Sequence, residues 1–491
     1  MVVTRLQRGM VLDGFEVGEL IHEGGMSTLR VVTRADVDFP VLMKVPKLLE
    51  GMDPAAIVSF EMEQMILPRL SGAHVPRFVA NGDFTAQPYV VMERIPGKPL
   101  LACLERLPLP YEEVASIGEK VATALHDLHG QHVVHLDVKP SNILFRPSGE
   151  AVLVDYGLSH HTQLPDLMQE QFRLPYGTGP YMSPEQIVGN RRDPRSDFFS
   201  LGVLLYFFST GVRPFADPKS RRGLQRRLWR DPVPPRRLRP DYPPWLQEIV
   251  LRCLEVDAGR RPPTGAQLAF DLTHTGQLKL TGRSEKLRRD PWRTALRRRF
   301  QERPTAPARR ADVAAQISTA PMVAVAVDLA ESSEPLFEAI RTTLRRVLET
   351  VPDARVACLN VLRHHRIALD QTLDEEGRNK HLHRLVQLRH WAQPLGLDDD
   401  RITFQVLEAT DVAGALLEYA RTNHVDHVVL GARTNSLKRD LLGSVSGEVA
   451  AQAPCTVTVV RPPRSPRASA AAQGEAATDD PGPGDDGTGS R

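Results

Sequence analysis

The stretch that most restricts how this chain can fold is VVHLDVKPSNILF, residues 133–145. In it, His135, Asp137, Lys139, Ser141 and Asn142 lie between apolar runs that would otherwise read as buried strands. A buried polar group without a partner costs about 1–3 kcal/mol. Five in one short segment therefore demand partners from elsewhere in the chain, or a use for their polarity.

At 491 residues the chain is too long for one hydrophobic core, and about 150 residues per domain predicts two or three domains. The apolar share of 41% and charged share of 25% are those of a soluble globular protein, and a formal charge of +2 gives no global attraction to nucleic acid or anionic membrane. Cys103, Cys253, Cys358 and Cys455 are isolated, without the spacing of a zinc or redox motif, and read as small apolar residues in a reducing cytosol. The longest apolar run, FFSLGVLLYFF at 198–208, is short of the ~18 residues that cross a bilayer and predicts a buried helix. The N-terminus MVVTRLQRGMVLDGF lacks the apolar core of a signal peptide. The expectation is a cytoplasmic protein without a transmembrane segment or a nucleic-acid partner.

Two rhythms divide the chain. Short β-branched runs fill 12 to about 95 and helical patterns fill 111–275, among them YEEVASIGEKVATALHDLHG, so 12–275 predicts an α+β unit. In residues 276–310, Lys and Arg number 12 against 3 acidic residues. The span 276–318 reads as a basic linker, most simply a solvated connector, with anionic lipid, nucleic acid or the acidic face of a neighbouring domain as the other partners for such charge. From 319 to 462, MVAVAVD, RVACLNVL, RITFQVL, DHVVLGA and CTVTVVR alternate with helical stretches, which predicts an α/β domain with a parallel sheet. The span 463–491 is Pro, Gly, Ala, Ser and Asp without periodicity and reads as a disordered tail. In the stretch RNKHLHRLVQLRHW, His381, His383 and His390 lack carboxylate or Cys at metal spacing and read as surface and packing residues.

Phosphoryl transfer from ATP requires a cover for the phosphates, a cation on their oxygens, metal ligands and a base at the attacking hydroxyl. The first domain offers these in order: the turn in LIHEGGMSTLRVV with Gly24, Gly25 and Ser27, Lys44 in VLMKV, Glu63 in FEMEQMILPRL, Asp137 and Asn142, and Asp155 in VLVDYGL. Each piece alone is weak, since a lone His-x-Asp or strand lysine is usually a packing or surface accident; the ordered set is not. This set resembles the eukaryotic-type protein kinase family, including bacterial Ser/Thr kinases. The resemblance implies a two-lobed protein-kinase fold, ATP with Mg2+ (or Mn2+) as cofactor, and a protein substrate with a Ser or Thr acceptor, the chain itself included. It implies that Lys44 meets the α- and β-phosphates and is held by Glu63. Backbone groups at Glu93 and Ile95 in VVMERIPG face adenine, Asp137 orients the substrate hydroxyl beside Lys139, and Asn142 and Asp155 hold the metal. In GTGPYMSPE, Thr178 supports the catalytic loop and Glu185 pairs with Arg261, while Asp197 is the buried structural aspartate.

Two departures stand out. Where the family has G-x-G-x-x-G, this chain has His22, Gly24 and Ser27, which motivates an alternative reading as a nucleotide-binding pseudokinase or scaffold that signals by conformation. Leu136 replaces the arginine that, in kinases switched by activation-loop phosphorylation, ties down the modified residue. Of the segment's hydroxyls, Ser159, Thr162, Tyr176, Thr178 and Tyr181, alanine at the first three is therefore expected to matter little. Regulation is expected to come instead from 319–462. That region, with VAVAVDLAESSEP and VVLGARTNSLKRDLLGSVSGEV, resembles the universal stress protein family, a Rossmann-like α/β fold. The resemblance implies a role in stress signalling, a nucleotide site at Asp328, Gly431, Arg433, Gly443 and Ser444, and dimerisation through this domain. Thr434 stands at the family's second glycine, and the later spacing is one residue short.

Overall fold

The computed structural model describes residues 6–47, 54–172, 175–294, 298, 321–330, 333–363, 379–398, 401–432 and 444–461, less positions 85, 98, 216, 219 and 292. The chain divides into two compact units, one of Met1–Ala320 with Ile367–His390, the other of Pro321–Arg366 with Trp391–Arg491.

The first unit opens with an antiparallel sheet of β1 (Val11–Leu12), β2 (Phe15–Glu23), β3 (Ser27–Thr33), β4 (Val41–Pro46), β5 (Phe78–Gly82) and β6 (Tyr89–Glu93), in the order β1-β2-β3-β4-β6-β5. Leu12 faces Phe15 across a two-residue turn whose Asp13 and Gly14 have φ of 48° and 82°, the positive values that a tight hairpin matching strand twist requires. Phe15, Val17, Val32, Val41, Met43, Val45, Tyr89 and Val91 form the core of this layer. Helix α1 (Pro54–Ile66) follows β4.

The rest of the unit is mainly helical. In α2 (Tyr111–Gly130), Val114, Ile117, Val121, Leu125 and Leu128 recur at helical spacing and are buried, while Glu112 and Glu113 sit in the first turn, where the helix dipole favours them. The short strands β7 (Val133–Val134), β8 (Ile143–Phe145), β9 (Ala151–Leu153) and β10 (His160–His161) pair as β8 with β9 and β7 with β10. Next come α3 (Leu167–Gln171), α4 (Pro184–Ile187) and α5 (Arg195–Thr210). The apolar run becomes α5, buried nearly all round and ended by Gly211 at φ 77°. Helices α6 (Arg221–Gln225), α7 (Pro235–Leu238), α8 (Pro244–Cys253) and α9 (Gly265–Thr273) complete it.

The basic stretch does not leave the unit at residue 276. Thr281 and Ser284 donate backbone N–H groups to Glu248 of α8, and Arg283 reaches Glu248 at 3.1 Å and Glu255 at 2.8 Å. Lys286 and Arg298 each bridge Asp231 and Asp290. As far as Arg298, then, Arg283, Lys286 and Arg298 of this stretch are tied to acids of the same unit; residues 299–320 lie outside the described residues.

The second unit is a parallel sheet of β11 (Met322–Ala326), β12 (Arg355–Arg363), β13 (Ile402–Ala409), β14 (His427–Gly431) and β15 (Thr456–Val460), ordered β13-β12-β11-β14-β15. Its helices are α10 (Glu334–Thr350), the end of α11 (Lys380–Ala392), α12 (Val412–Thr422) and α13 (Ser444–Gln452). Leu416, Leu417 and Ala420 of α12 and Val449 of α13 pack with Ala324, Ala357, Leu359, Val428 and Leu430 of the strands. No helix among the described residues is long and apolar enough to cross a membrane.

Candidate active site

Strand alternation explains the placement of Lys44. Along β4, Val41, Met43 and Val45 are buried in the sheet core, so the period of two turns Lys44 to the other face. There its Nζ lies 2.5 Å from Glu63 Oε2 of α1 and 2.9 Å from Asp155 Oδ1. Burial alone would lower the pKa of the ammonium, but the carboxylates of Asp155 and Glu63 outweigh it and raise it above the ordinary lysine value. The same ammonium holds Asp155 below the usual carboxylate range. Gly157, two residues on, meets α1 so closely that a Cβ would stand 2.2 Å from Ser59 Oγ; only glycine fits.

The polarity of residues 133–145 is satisfied almost group by group. Asp137 Oδ1 accepts from Thr178 N at 3.2 Å and Oγ1 at 2.7 Å, and Oδ2 accepts from Lys139 Nζ at 2.6 Å and Asn142 Nδ2 at 3.0 Å. Ser141 Oγ donates to Asn142 Oδ1 at 3.1 Å. His135 Nδ1 accepts from Asp137 N at 3.3 Å, which leaves Nε2–H to donate to Val154 O at 3.2 Å and fixes the neutral tautomer.

Leu136 has φ 62°, a left-handed conformation that costs a side-chain-bearing residue about 1–3 kcal/mol unless its surroundings over-determine it. They do. Asp197, fully buried on α5, accepts from His135 N and Leu136 N at 2.8 Å each and contacts His129 Nε2 at 2.8 Å, while Gln186 Nε2 donates to Leu136 O at 2.7 Å. Glu185 is gripped by Arg261 at 2.5 and 2.8 Å and by Ser196 Oγ at 2.7 Å.

At the loop between β2 and β3, Gly24 N donates to Ser27 O at 2.9 Å and closes a tight turn with Gly25 and Met26 at its tip. His22 Nε2 lies 3.3 Å from where a Cβ on Gly24 would be. At the end of β6, the Glu93 carboxylate is bound by Arg146 at 2.6 and 3.0 Å, so its side chain is committed within the protein; Ile95 is buried just beyond. Burial also corrects one expectation for the segment hydroxyls: Ser159 is fully buried and donates to His135 O at 3.0 Å, so alanine there removes a bond to the catalytic loop.

A family model described as the protein kinase domain matches residues 15–271, just over half of the chain. The chain belongs to the protein kinase family. A second model, the universal stress protein family, matches residues 322–461 of this kinase. The kinase is 31% identical over 271 residues to serine/threonine-protein kinase pkn3 of Myxococcus xanthus, across 52% of this chain and 49% of that protein. It is 29% identical over 272 residues to serine/threonine-protein kinase PknB of Mycolicibacterium smegmatis, across 54% and 44%. It spans about half the length of these curated relatives, or less. Among solved structures, the kinase domain of Mycobacterium tuberculosis PknI aligns with a TM-score of 0.43 and 23% identity, covering 55% of this chain and 98% of that one.

In the second unit of the kinase, β11 leads to β12 and β13 on one side and β14 to β15 on the other, so the strand order switches between β11 and β14. Ligand crevices of parallel sheets lie beyond the carboxyl ends of the strands at such a point. Asp328 follows β11 there, its Oδ1 accepting from Ala330 N at 3.1 Å, and Gly431 ends β14. A Cβ on Gly431 would meet Leu336 and Ile340 of α10 at 3.1 and 3.2 Å, so helix packing also uses this glycine. Ser444 begins α13, and Arg433 and Gly443 lie outside the described residues. Asn360 was not singled out by sequence: on β12, buried, it donates to Val327 O at 2.8 Å while its Oδ1 has no partner among the described residues. Nor were Gln186, Asp166 and Arg191 of the first unit. A polar residue inside the apolar strand RVACLNVL was the available signal for Asn360; nothing local marks the other three.

Proposed function

We propose that this kinase transfers the γ-phosphoryl group of Mg-ATP to serine or threonine hydroxyls of proteins. The observation that carries this reading is the complete assembly of Lys44, Glu63 and Asp155 beside an Asp137 held at both carboxylate oxygens. Held in this way, Asp137 orients the attacking hydroxyl and takes its proton, while Lys139, bonded to both Asp137 and Thr178, lies where negative charge develops. Lys44 is permanently cationic and suited to the α- and β-phosphates. Asp155, its side chain 44% exposed, and Asn142 Oδ1 are oxygen donors of the kind that a hard divalent cation prefers, so they would hold Mg2+, or Mn2+ in its place. When bound, the metal neutralises phosphate charge. The test is incubation of the purified chain with labelled ATP and Mg2+, with and without a generic basic protein. Label on neither chain nor substrate under varied metal conditions would overturn the proposal in favour of a nucleotide-binding scaffold.

The phosphate loop makes its own prediction. Ser27→Gly and His22→Gly together should lower the KM for ATP a few-fold if these side chains obstruct backbone approach, by the weight of about one contact. An unchanged or higher KM would mean that the turn closed by Gly24 and Ser27 works as built.

We further propose that the universal-stress-like region senses a ligand, with nucleotide the first candidate at Asp328 and Gly431, dimerises the chain, and adjusts the kinase rate in stress signalling. Linkage makes this reciprocal. A nucleotide bound there should change the phosphorylation rate, and a non-hydrolysable ATP analogue in the kinase site should change affinity for that ligand by the same factor as the ligand changes analogue binding. Independent binding at the two sites, measured by calorimetry on the full chain, would refute it.

A further inference from the structure

The segment from Asp155 to Glu185 carries Thr178 to Asp137 and must stay in place for the site to remain assembled. The residue beside Asp137 is Leu136, which cannot bind a phosphate placed on that segment. What holds it is internal. Strand β10 pairs His160 with Val134 and His161 with Val133, directly ahead of the catalytic loop, and Ser159 donates to His135 O at 3.0 Å. Asp166, 6% exposed, caps α3 by accepting from Gln169 N at 3.1 Å, receives Arg191 Nε at 2.7 Å, and stands 3.2 Å from His160 Nδ1. Arg191 belongs to the loop between α4 and α5, and its Nη2 donates to the carbonyls of Leu158 at 3.0 Å and Ser159 at 3.3 Å. One guanidinium therefore closes both ends of residues 158–166. Burial alone would raise the pKa of the Asp166 carboxyl, but Arg191 and His160 outweigh it and hold it below the usual carboxylate range. Beyond the pair, α3 packs against α1, the helix of Glu63.

We infer that Asp166 and Arg191 form a latch that holds the activation segment without phosphorylation: a carboxylate written into the sequence does what a phosphate does in kinases with an arginine at position 136. Both are positioning residues, and the inference rests on the kinase reading of the site. Once one partner is removed, the other is left as an uncompensated buried charge, so the segment loses its hold rather than one hydrogen bond.

The test compares the full chain with Arg191→Met, Asp166→Asn and Arg191→Lys by amide hydrogen exchange, thermal unfolding and steady-state kinetics. In the first two variants, exchange across 158–172 should accelerate about tenfold or more, while α5 and α8 exchange as before. The kcat should fall about tenfold or more and the KM for ATP stay within about twofold, because misplacement by an ångström acts on the chemical step. Arg191→Lys should recover part of the loss, and phosphatase treatment of the unmutated protein should leave kcat unchanged. Unchanged exchange across 158–172 in both Arg191→Met and Asp166→Asn would overturn the latch, as would activity that disappears on phosphatase treatment alone. Asp166→Asn, which keeps shape while removing charge, decides the matter if Arg191→Met fails to fold. Absence of any transfer by the unmutated protein would sink the kinase reading instead, and hydrogen exchange would still judge the latch.

Discussion

Asp137→Asn is expected to reduce phosphate transfer by about 10²–10⁴-fold, the usual contribution of a positioned proton acceptor. The amide keeps the size of the carboxylate and can still accept from Thr178, but it cannot take the substrate proton or balance Lys139 at 2.6 Å. The effect should fall mainly on kcat, since Asp137 contacts neither Lys44 nor Asp155 among the described residues and the amide still leaves Asn142 its bond to the Asp137 backbone carbonyl at 3.0 Å. Steady-state kinetics at saturating ATP check this, and a variant within about threefold of the unmutated rate would remove Asp137 from the chemistry.

Asp197→Ala should cost stability as well as activity. Its carboxylate, fully buried, accepts two backbone N–H groups and contacts His129, and it holds Leu136 in a conformation that leucine does not adopt unaided. Leaving two buried donors unsatisfied costs about 1–3 kcal/mol each, so a loss of about 3–5 kcal/mol is expected. Calorimetry should show it as an unfolding transition of the first unit lowered by roughly 10 °C. Asp197→Asn, retaining one acceptor, should lose less. Equal, small shifts for both variants would mean that Gln186 and the packing around Leu136 suffice.

The residues whose placement is legible in the sequence are those that their immediate neighbours mark. Lys44 stands in an alternating strand, Asp137 and Asn142 share one segment, and Asp155 precedes a glycine that Ser59 makes obligatory. The parallel sheet of the second unit is legible for the same reason, since strand and helix alternate along the chain. What holds these groups is not local. Asp197 reaches Leu136 across 61 positions, and Arg191 reaches Asp166 across 25. Read alone, Asp197, Asp166 and Arg191 are charged residues among many in a chain with a quarter of its residues charged. The burial of Ser159 was equally invisible, because nothing near it distinguishes a packed hydroxyl from an accessible one. Similarly, the excess of arginine after residue 276 suggests a free connector until the acids it meets on α8 and at Asp231 are known.

That docked stretch changes where the first unit can be cut. Both the pattern of helices and the family match invite excision at about residue 275, after α9. Such a fragment would retain Glu248, 2% exposed, while discarding the backbone donors of Thr281 and Ser284 and the guanidinium of Arg283 that now surround its carboxylate. It would begin life with an orphaned acid on α8, and low yield or poor solubility of that fragment would say nothing about the catalytic machinery. A fragment carried through Arg298 keeps these partners of Glu248, but it lacks Ile367–His390 of the same unit, whose Arg389 pairs with the buried Glu61 of α1, so enzymology is best done on the full chain.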